Sequence, residues 1–240
     1  MRTHDPWITR YLGVGMSSEN EWRIGQVLST AFQKQVGFKG TYLVALVIYV
    51  AISIVAGFVS ETLFGPSDEF TWAGFWGELV ITLAMLPLGV GLGLLGIRRA
   101  AQRDVPLATL IEPYNKSLQL MAMLLIMMLL IVAGYALFIL PGIYLSIAYA
   151  FAPYLITEKD MGVWEALETS RKAITQFWWR YFGLMLVGML MIIVGSIPLL
   201  VGLLWALPIL AIATGEVFAD TFGEDAPREE LPIHDEENTP

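Results

Sequence analysis

The stretch that decides the fold runs from Leu118 to Leu184 and reads LQLMAMLLIMMLLIVAGYALFIL, then PGIYLSIAYAFAPYLITEKD, then MGVWEALETSRKAITQFWWRYFGL. Its first part, Leu118–Leu140, is apolar and long enough to cross a hydrocarbon core about 30 Å thick. Pro141-Gly142 predicts a tight turn, after which Ile143–Thr157 predicts a return that is short, kinked by Pro153 or partly re-entrant. The last part predicts a charged amphipathic helix over Asp160–Arg180 that lies along the membrane surface. This order of elements is typical of a polytopic membrane protein.

The composition also indicates a membrane protein rather than a soluble domain. Of the 240 residues, 56% are hydrophobic and 15% are charged, and the mean hydropathy is +0.64. The sequence has no cysteine, which excludes disulfides, thiolate metal sites and cysteine nucleophiles. The net charge of -8 comes mainly from the C-terminal end, where nine acidic residues from Glu216 onward accompany a single base, Arg228. The rest of the chain is therefore close to neutral.

The other apolar segments complete a six-span pattern. Thr41–Phe64 and Trp72–Ile97 each predict one span, and Tyr181–Phe222 is long enough for two, with a turn near Gly195–Pro198. A helix with an apolar face and a basic face, Glu19–Val36, precedes the first span and is predicted to lie in the interface. The prediction is an all-α polytopic membrane protein with six transmembrane helices in three hairpins and amphipathic interfacial helices.

The positions of the basic residues predict the orientation of these spans. The predicted outer loops contain no Lys or Arg, whereas all 14 lie in the inner segments 1–40, 98–117, 158–180 and 223–240. Because cytoplasmic loops carry the excess of Lys and Arg, both termini are predicted to be cytoplasmic. The polar first 40 residues do not resemble a cleavable signal peptide. The predicted boundaries are a flexible N-terminus over 1–18, a membrane domain over 19–222 and an acidic disordered tail over 223–240.

Glycine and proline mark the positions where the predicted helices are expected to pack or bend. Gly89 and Gly93 form a GxxxG pattern in the second span, which lets a neighbouring backbone approach closely. Packing is favoured there over a hinge or a pore lining. Pro87 in the same span predicts a kink, and Pro141 and Gly142 predict the turn between the third and fourth spans.

Basic residues at the inner ends of the spans are candidates for binding lipid headgroups. Anionic headgroups attract each base by about 1 kcal/mol at the membrane surface. The alternative is that these residues only fix the topology, and the sequence leaves both interpretations open. The residues are Arg98, Arg99, Arg103, Arg171, Lys172 and Arg180.

The sequence presents no pattern for a catalytic, metal or cofactor site. The two histidines, His4 and His234, lie in the terminal segments, and no His, Asp or Glu cluster has metal-ligand spacing. The bases lie in short juxtamembrane groups, so nucleic acid is not an expected partner. Glu78 and Glu216 fall inside predicted spans and are interpreted as interfacial carboxylates. Polar residues that could line a solute pathway are Ser53, Thr82, Tyr135, Tyr144, Ser146 and Tyr149.

Residues 24–222 resemble a membrane domain that precedes the catalytic part of some bacterial glycerophosphodiester phosphodiesterases and also occurs alone in bacterial integral membrane proteins. The resemblance implies six membrane helices and a bacterial cytoplasmic membrane. It does not imply an enzyme, because the phosphodiesterase part is not among the matching residues and the stand-alone members have no settled activity. The matching motifs are Ile24–Leu28, Leu140–Tyr144, Ala150–Pro153, Glu165–Ser170, Phe177–Arg180 and Pro208–Ala211.

Three functions are compatible with this pattern. The favoured one is a non-enzymatic, lipid-associated scaffold or interaction module, whose expected partners are membrane phospholipids and either a second copy or another membrane protein. The alternatives are a transporter or channel for an amphiphilic or lipid-like solute and, least favoured, a membrane enzyme. A polar cavity across the midplane would favour transport, and a lateral apolar groove would favour lipid binding. Catalysis would require Glu158, Asp160, Glu165 and Arg171 to converge on one pocket.

Overall fold

The computed structural model describes residues 22–65, 71–197 and 201–223. Of these described residues 86% are helical, and none forms a β-strand. The helices are α1 Ile24–Lys34, α2 Lys39–Phe64, α3 Trp72–Ala100, α4 Ser117–Leu137, α5 Ile139–Ala148, α6 Ala152–Lys159, α7 Val163–Gln176, α8 Trp178–Ser196 and α9 Leu203–Phe222, with short 3₁₀ helices at Leu107–Leu110 and Glu112–Lys116.

Six helical segments are long and apolar enough to cross a membrane, which confirms the predicted all-α polytopic fold. They pack as the hairpins α2–α3, α4 with α5 and α6, and α8–α9. The segments are Lys39–Phe64, Trp72–Ala100, Leu107–Leu137, Ile139–Lys159, Trp178–Ser196 and Leu203–Phe222.

The turn of the central hairpin lies at Phe138, so the predicted turn at Pro141-Gly142 is wrong. α4 ends at Leu137, and Phe138 has an extended backbone with φ -162° and ψ 157°. Pro141 and Gly142 lie in the first turn of α5, where a helix has N–H groups without intrahelical partners and therefore tolerates proline. Gly142 serves packing instead, because a Cβ at this position would collide with the ring of Tyr135.

The segment that returns from this turn is a broken helix rather than a short one. α5 ends at Ala148 and α6 begins at Ala152, so the break lies just before Pro153. The buried Ser170 hydroxyl bridges the break, donating to the Ala148 carbonyl at 2.7 Å and accepting from the Phe151 N–H at 3.2 Å. This hydroxyl partners backbone groups that the interrupted helix leaves free.

The amphipathic helix α7 is shorter than predicted. It ends at Gln176, and Trp178 already belongs to α8. Its packed face contains Leu167 and Ile174, whereas Trp164 is 64% exposed. The helical period places Trp164 one turn from Glu168 on the outward face.

The ends of the chain are described only in part. α1 begins at Ile24 rather than at the predicted Glu19. The predicted flexible segment 1–18 lies outside the described residues, as does the predicted acidic tail 223–240 apart from Gly223.

Helices α3 and α9 lie side by side in parallel. A Cβ on Gly96 would meet the Ala211 backbone, and a Cβ on Gly215 would meet Gly96, Ile97 and Ala100. The contacts advance in the same direction along both helices. Extending this register back to the first residue of α9 places Leu203 near Leu88. The preceding part of α3, Trp72–Pro87, therefore extends about 24 Å beyond the start of α9, at about 1.5 Å per residue.

Burial follows the same division of α3. Apart from Gly77, the buried residues of α3 begin at Pro87. In α2, only 6% of the apolar membrane-spanning stretch is buried within the protein. The side chains of Leu94, Leu155 and Ile212 are fully buried in the core. The core therefore lies at the end of the molecule where the basic residues lie, and the α2–α3 hairpin projects away from it.

Candidate functional site

A cleft of about 240 Å³ opens between α2, α3, α6, α8 and α9, and we call it the inner cleft. Most of its lining is apolar. None of the six polar residues that the sequence analysis named as lining a solute pathway contributes to it. The lining residues are Tyr42, Gly89, Leu92, Gly93, Tyr154, Ile192, Leu207, Leu210, Ala211 and Thr214.

Glycines shape the wall of the inner cleft that α3 provides. At Gly93 a Cβ would collide with the Tyr154 ring, so the missing side chain admits this tyrosine between the helices. At Gly89 a Cβ would have only the Tyr49 ring within 4 Å, at 3.9 Å. Gly89 therefore leaves space at the cleft.

The predicted GxxxG pair, Gly89 and Gly93, does not bring two backbones together. The close backbone contacts of α3 lie at other glycines: Gly91 meets the backbone of Leu110, and Gly96 meets that of Ala211. The glycine-rich stripe does serve packing, as the sequence indicates, but the backbone contacts are shifted along it.

Two tyrosine hydroxyls give the inner cleft a polar component. Tyr42 is 6% exposed and its ring packs on Phe38 with centroids 5.4 Å apart. The ring of Tyr154 lies edge-on to Phe218 at 6.3 Å. Within the described residues neither hydroxyl forms a hydrogen bond. Each hydroxyl can therefore donate a hydrogen bond to an oxygen atom of a bound molecule.

A cation and an aromatic ring contact each other close in sequence to lining residues of the inner cleft. The Lys39 ammonium lies 3.3 Å from the centroid of the Trp205 ring, which is a cation–π contact. Lys39 lies one helical turn before Tyr42, and Trp205 lies two residues before Leu207. Among the described residues no carboxylate forms an ion pair with Lys39.

The neighbouring bases at this corner have other partners. Lys34 pairs with Glu216 at 2.7 Å and also donates to the Ala100 carbonyl at 2.7 Å. Arg99 donates to the carbonyls of Lys34 at 2.8 Å and Val36 at 2.7 Å, which lie at and just beyond the C-terminus of α1. A cation is favourable there because a helix C-terminus carries partial negative charge.

Arg98 is the centre of an ion-pair network beside α3. Its guanidinium forms a two-pronged pair with Glu112, at 2.9 and 2.6 Å, and donates to Glu158 at 2.9 Å and Thr109 at 3.1 Å. Arg103 reaches the other oxygen of Glu158 at 3.1 Å. The donors of Arg98 are therefore largely used within the protein.

The predicted headgroup residues thus fall into separate groups. Arg98 and Arg103 share Glu158, whereas Arg171 and Lys172 both pair with Glu168 on their own helix, at 2.7 and 3.3 Å. The hydrogen bond from Arg171 lowers the pKa of the Glu168 carboxyl below its ordinary value. Arg99 binds backbone carbonyls, and Arg180 lies in the first turn of α8.

The residues that catalysis would require to converge on one pocket pair with different partners instead. Glu158 pairs with the arginines of the Arg98 network, and Asp160 pairs with Lys116 at 2.7 Å. This pairing lowers the pKa of the Asp160 carboxyl. Arg171 pairs with Glu168 instead. Within the described ranges no group of three His, Asp or Glu residues is arranged to hold a metal ion.

The two carboxylates inside the predicted spans have different surroundings. Glu216 is held by Lys34, so it stabilises the contact between α1 and α9. Glu78 lies 3.5 Å from the Ser60 hydroxyl across the α2–α3 hairpin. Of the polar residues named above, Ser53 and Ser146 donate to carbonyls of their own helices, and Tyr144 contacts Thr175.

Comparison with protein-family models, curated proteins and solved structures found no match to this chain.

The sequence analysis did not identify the polar residues of the inner cleft. Lys39 counted only as one base of the inner segment 1–40, and Tyr42 and Tyr154 lie in apolar runs. The available signal was the position of Lys39, since it directly precedes a span and lies one turn from a tyrosine. Trp205 could be paired with it only once the register of α9 was known.

Proposed function

We propose that this chain is a non-enzymatic protein of the bacterial cytoplasmic membrane that holds a phospholipid chain in the inner cleft and acts as a lipid-associated scaffold or interaction module. The observation that carries the proposal is the cleft itself: an apolar space among helices apolar enough to span a membrane. The sequence analysis had named a lateral apolar groove as the feature that favours lipid binding over transport.

The dimensions of the inner cleft favour a slender ligand. Its volume of about 240 Å³ is below the roughly 300–1,000 Å³ of typical small-molecule pockets. An empty apolar space loses dispersion contacts on its lining atoms. In a bilayer, an acyl chain supplies these contacts without burying a polar group. The two tyrosine hydroxyls could then bond to ester or phosphate oxygens nearer the headgroup.

The proposed orientation has both termini in the cytoplasm. It is supported by the absence of Lys and Arg from the predicted outer loops. The assignment to a bacterial cytoplasmic membrane is supported by the resemblance to the membrane domain of glycerophosphodiester phosphodiesterases. In this orientation Lys39 lies at the inner end of α2, close to the headgroups of the inner leaflet.

Filling the inner cleft tests the proposal. We expect Gly89→Leu to place a side chain at the cleft, where only the Tyr49 ring comes within 4 Å of a Cβ, and so to reduce the number of phospholipids retained by the full chain in native mass spectrometry from a mild detergent. Gly57→Leu is the matched control, because Gly57 lies on an exposed face of α2 with nothing within 4 Å of a Cβ.

The two variants change the same residue type in the same way within membrane helices. Loss of lipid in Gly89→Leu alone supports the proposal. Equal retention of lipid in Gly89→Leu and the wild type, with both proteins monodisperse, contradicts it.

A further inference from the structure

Three helix ends lie together where the basic residues lie, and we call this part of the molecule the basic end. α3 ends there, two residues after Arg98. α9 runs parallel to α3 and ends at the same side, at Phe222. α8 and α9 form an antiparallel hairpin in which Gly188 lies against Leu210, so α8 begins at the basic end with Trp178.

The segment formed by α5 and α6 contacts these three helix ends one after another. The Tyr144 ring lies 6.4 Å from that of the first residue of α8. The Phe151 ring lies 5.8 Å from that of the last residue of α9, and Glu158 accepts a hydrogen bond from Arg98 at 2.9 Å. From Tyr144 to Glu158 the chain covers about 20 Å. A helix that crossed the membrane would reach the basic end only at one of its own ends, so α5 and α6 run across this end.

α7 packs along the same two helices and carries charged residues on its outer side. The buried Ser170 bridges the break between α5 and α6, and Thr175 contacts Tyr144. Glu165 and Lys172 are exposed. If α5 crossed the membrane, α7 would accompany it and place these charges in hydrocarbon, which is costly. The charges therefore favour a position of α7, and of α5 beneath it, at the membrane surface.

α4 follows α5 as the other arm of a hairpin, with Gly134 against Gly142. The chain enters α4 from the membrane side, because the Tyr114 hydroxyl just before it donates to the carbonyl of Ala84, about 20 Å along α3 from Arg98. α4 contains no charged residue. Length and composition would let α4 and the α5–α6 segment cross a membrane, but these contacts direct the hairpin sideways from the core.

We propose that the α4–α5 hairpin lies in the plane of the membrane, among the acyl chains of the leaflet at the basic end, and that the protein therefore favours membranes in which this leaflet is convex. The tip of the hairpin, 137–140, consists of four apolar residues that are each at least 69% exposed. Acyl chains are the surroundings that such a tip requires.

The rest of the fold makes the molecule wider in the same leaflet. α1, α7 and the α8–α9 hairpin also lie toward the basic end, whereas among the described residues Trp72–Pro87 of α3 and the adjoining part of α2 extend beyond the start of α9. A molecule that is wider in one leaflet expands that leaflet, and bending of the bilayer relieves the mismatch. This inference goes beyond the proposed function and does not depend on a lipid in the inner cleft.

The depth of α4 in the bilayer tests the placement. Single cysteines in the full chain are spin-labelled in lipid bilayers, and depth is obtained from collisions with oxygen and with a water-soluble nickel complex. Four exposed positions on one face of α4 should differ in depth by less than about 5 Å, one helical turn. The matched series on α2 has the same spacing and should vary by more than about 10 Å, because α2 crosses. The positions are Leu118, Leu125, Leu129 and Val132 in α4 and Val47, Ile54, Phe58 and Glu61 in α2.

The orientation of the reconstituted protein tests the preference for curvature. The outer leaflet of a small vesicle is strongly convex, so the basic end should face outward more often in small vesicles than in large ones. Labelling of Ala101→Cys, beside the end of α3, by a membrane-impermeant maleimide counts the outward-facing molecules. We expect the ratio of outward to inward molecules to be at least about twofold higher in small vesicles, which corresponds to about 0.4 kcal/mol.

Two aspartate variants assign this preference to the hairpin. Phe138→Asp places a charge at the tip, where the side chain is 74% exposed, and should bring the ratio in small vesicles close to that in large ones. Leu63→Asp is the matched control, at a side chain that is 68% exposed near the end of α2, and should leave the ratio unchanged.

Each part of the inference can be overturned separately from the proposed function. A depth profile of α4 that varies as much as that of α2 would overturn the in-plane placement. Equal ratios in small and large vesicles, or equal effects of Phe138→Asp and Leu63→Asp, would overturn the curvature preference of the hairpin. Lipid retention by Gly89→Leu tests the inner cleft independently of these results.

Discussion

At the scale of single residues, the structure separates bases that pair with carboxylates from bases that, among the described residues, do not. All of these residues look alike in the sequence, because each is a Lys or Arg beside a span. Arg98 is committed to Glu112 and Glu158, whereas Lys39 contacts an aromatic ring and no carboxylate among the described residues. The difference depends on which acidic residues the fold brings near, and this information is not local in the sequence.

Arg98→Lys tests the structural assignment of Arg98. Lysine keeps the charge but cannot form the two-pronged contact with Glu112 and reach Glu158 at the same time. Side-chain exposure is only 20% for Arg98 and 9% for Glu158, so the lost hydrogen bonds are poorly replaced by water. We expect a loss of about 1–3 kcal/mol in the free energy of unfolding, measured by titration with a denaturing detergent.

Arg103→Lys is the control for this substitution. The Arg103 side chain is 54% exposed and pairs with Glu158 at 3.1 Å, so the expected loss is below about 1 kcal/mol. Equal effects of the two substitutions would contradict the view that Arg98 organises the network.

At the scale of elements, the sequence predicted the apolar helices well and their ends less well. The six spans follow from the length of the apolar runs, which the bilayer thickness requires. The turn was assigned to Pro141-Gly142 because this pair breaks helices in water-soluble contexts, yet proline is equally suited to the first turn of α5.

The depth of the α8–α9 hairpin gives a prediction at this scale. The register of α9 on α3 places the turn of α8–α9 near Leu88. This turn should therefore lie closer to the inner side of the membrane than the turn of α2–α3 does. The chain has no cysteine, so single-cysteine variants report one position each. We expect a membrane-impermeant maleimide added outside to label Gly65→Cys quickly and Val201→Cys at least about tenfold more slowly, as the roughly 24 Å difference in height implies.

Ala101→Cys, next to the end of α3, provides the inner control and should react only after the membrane is permeabilised. Labelling of Val201→Cys at the same rate as Gly65→Cys would show that α8–α9 crosses as far as α2–α3, and would contradict the register as a guide to depth.

At the scale of the whole molecule, the fold combines a packed base with projecting hairpins. The buried core lies beside the basic residues, and α2 contributes little to it. The inner cleft lies where the projecting and packed parts of α3 meet, since Gly89 and Gly93 follow Pro87 closely. Composition could predict the membrane class, but the cleft depends on missing side chains at Gly89 and on the register of α9. Neither feature has a distinct signature in one sequence.

The central claim is that an acyl chain occupies the inner cleft. The most direct measurement is photocrosslinking of the full chain in lipid bilayers with a phosphatidylglycerol that carries a diazirine within its acyl chain, followed by mass spectrometric mapping of the modified residues. We predict that labelling concentrates on the cleft segments 89–93, 154 and 207–214, and that Gly89→Leu reduces it there while Gly57→Leu does not. Labelling spread evenly over the exposed faces of α2, α4 and α8, unchanged by Gly89→Leu, would contradict the claim.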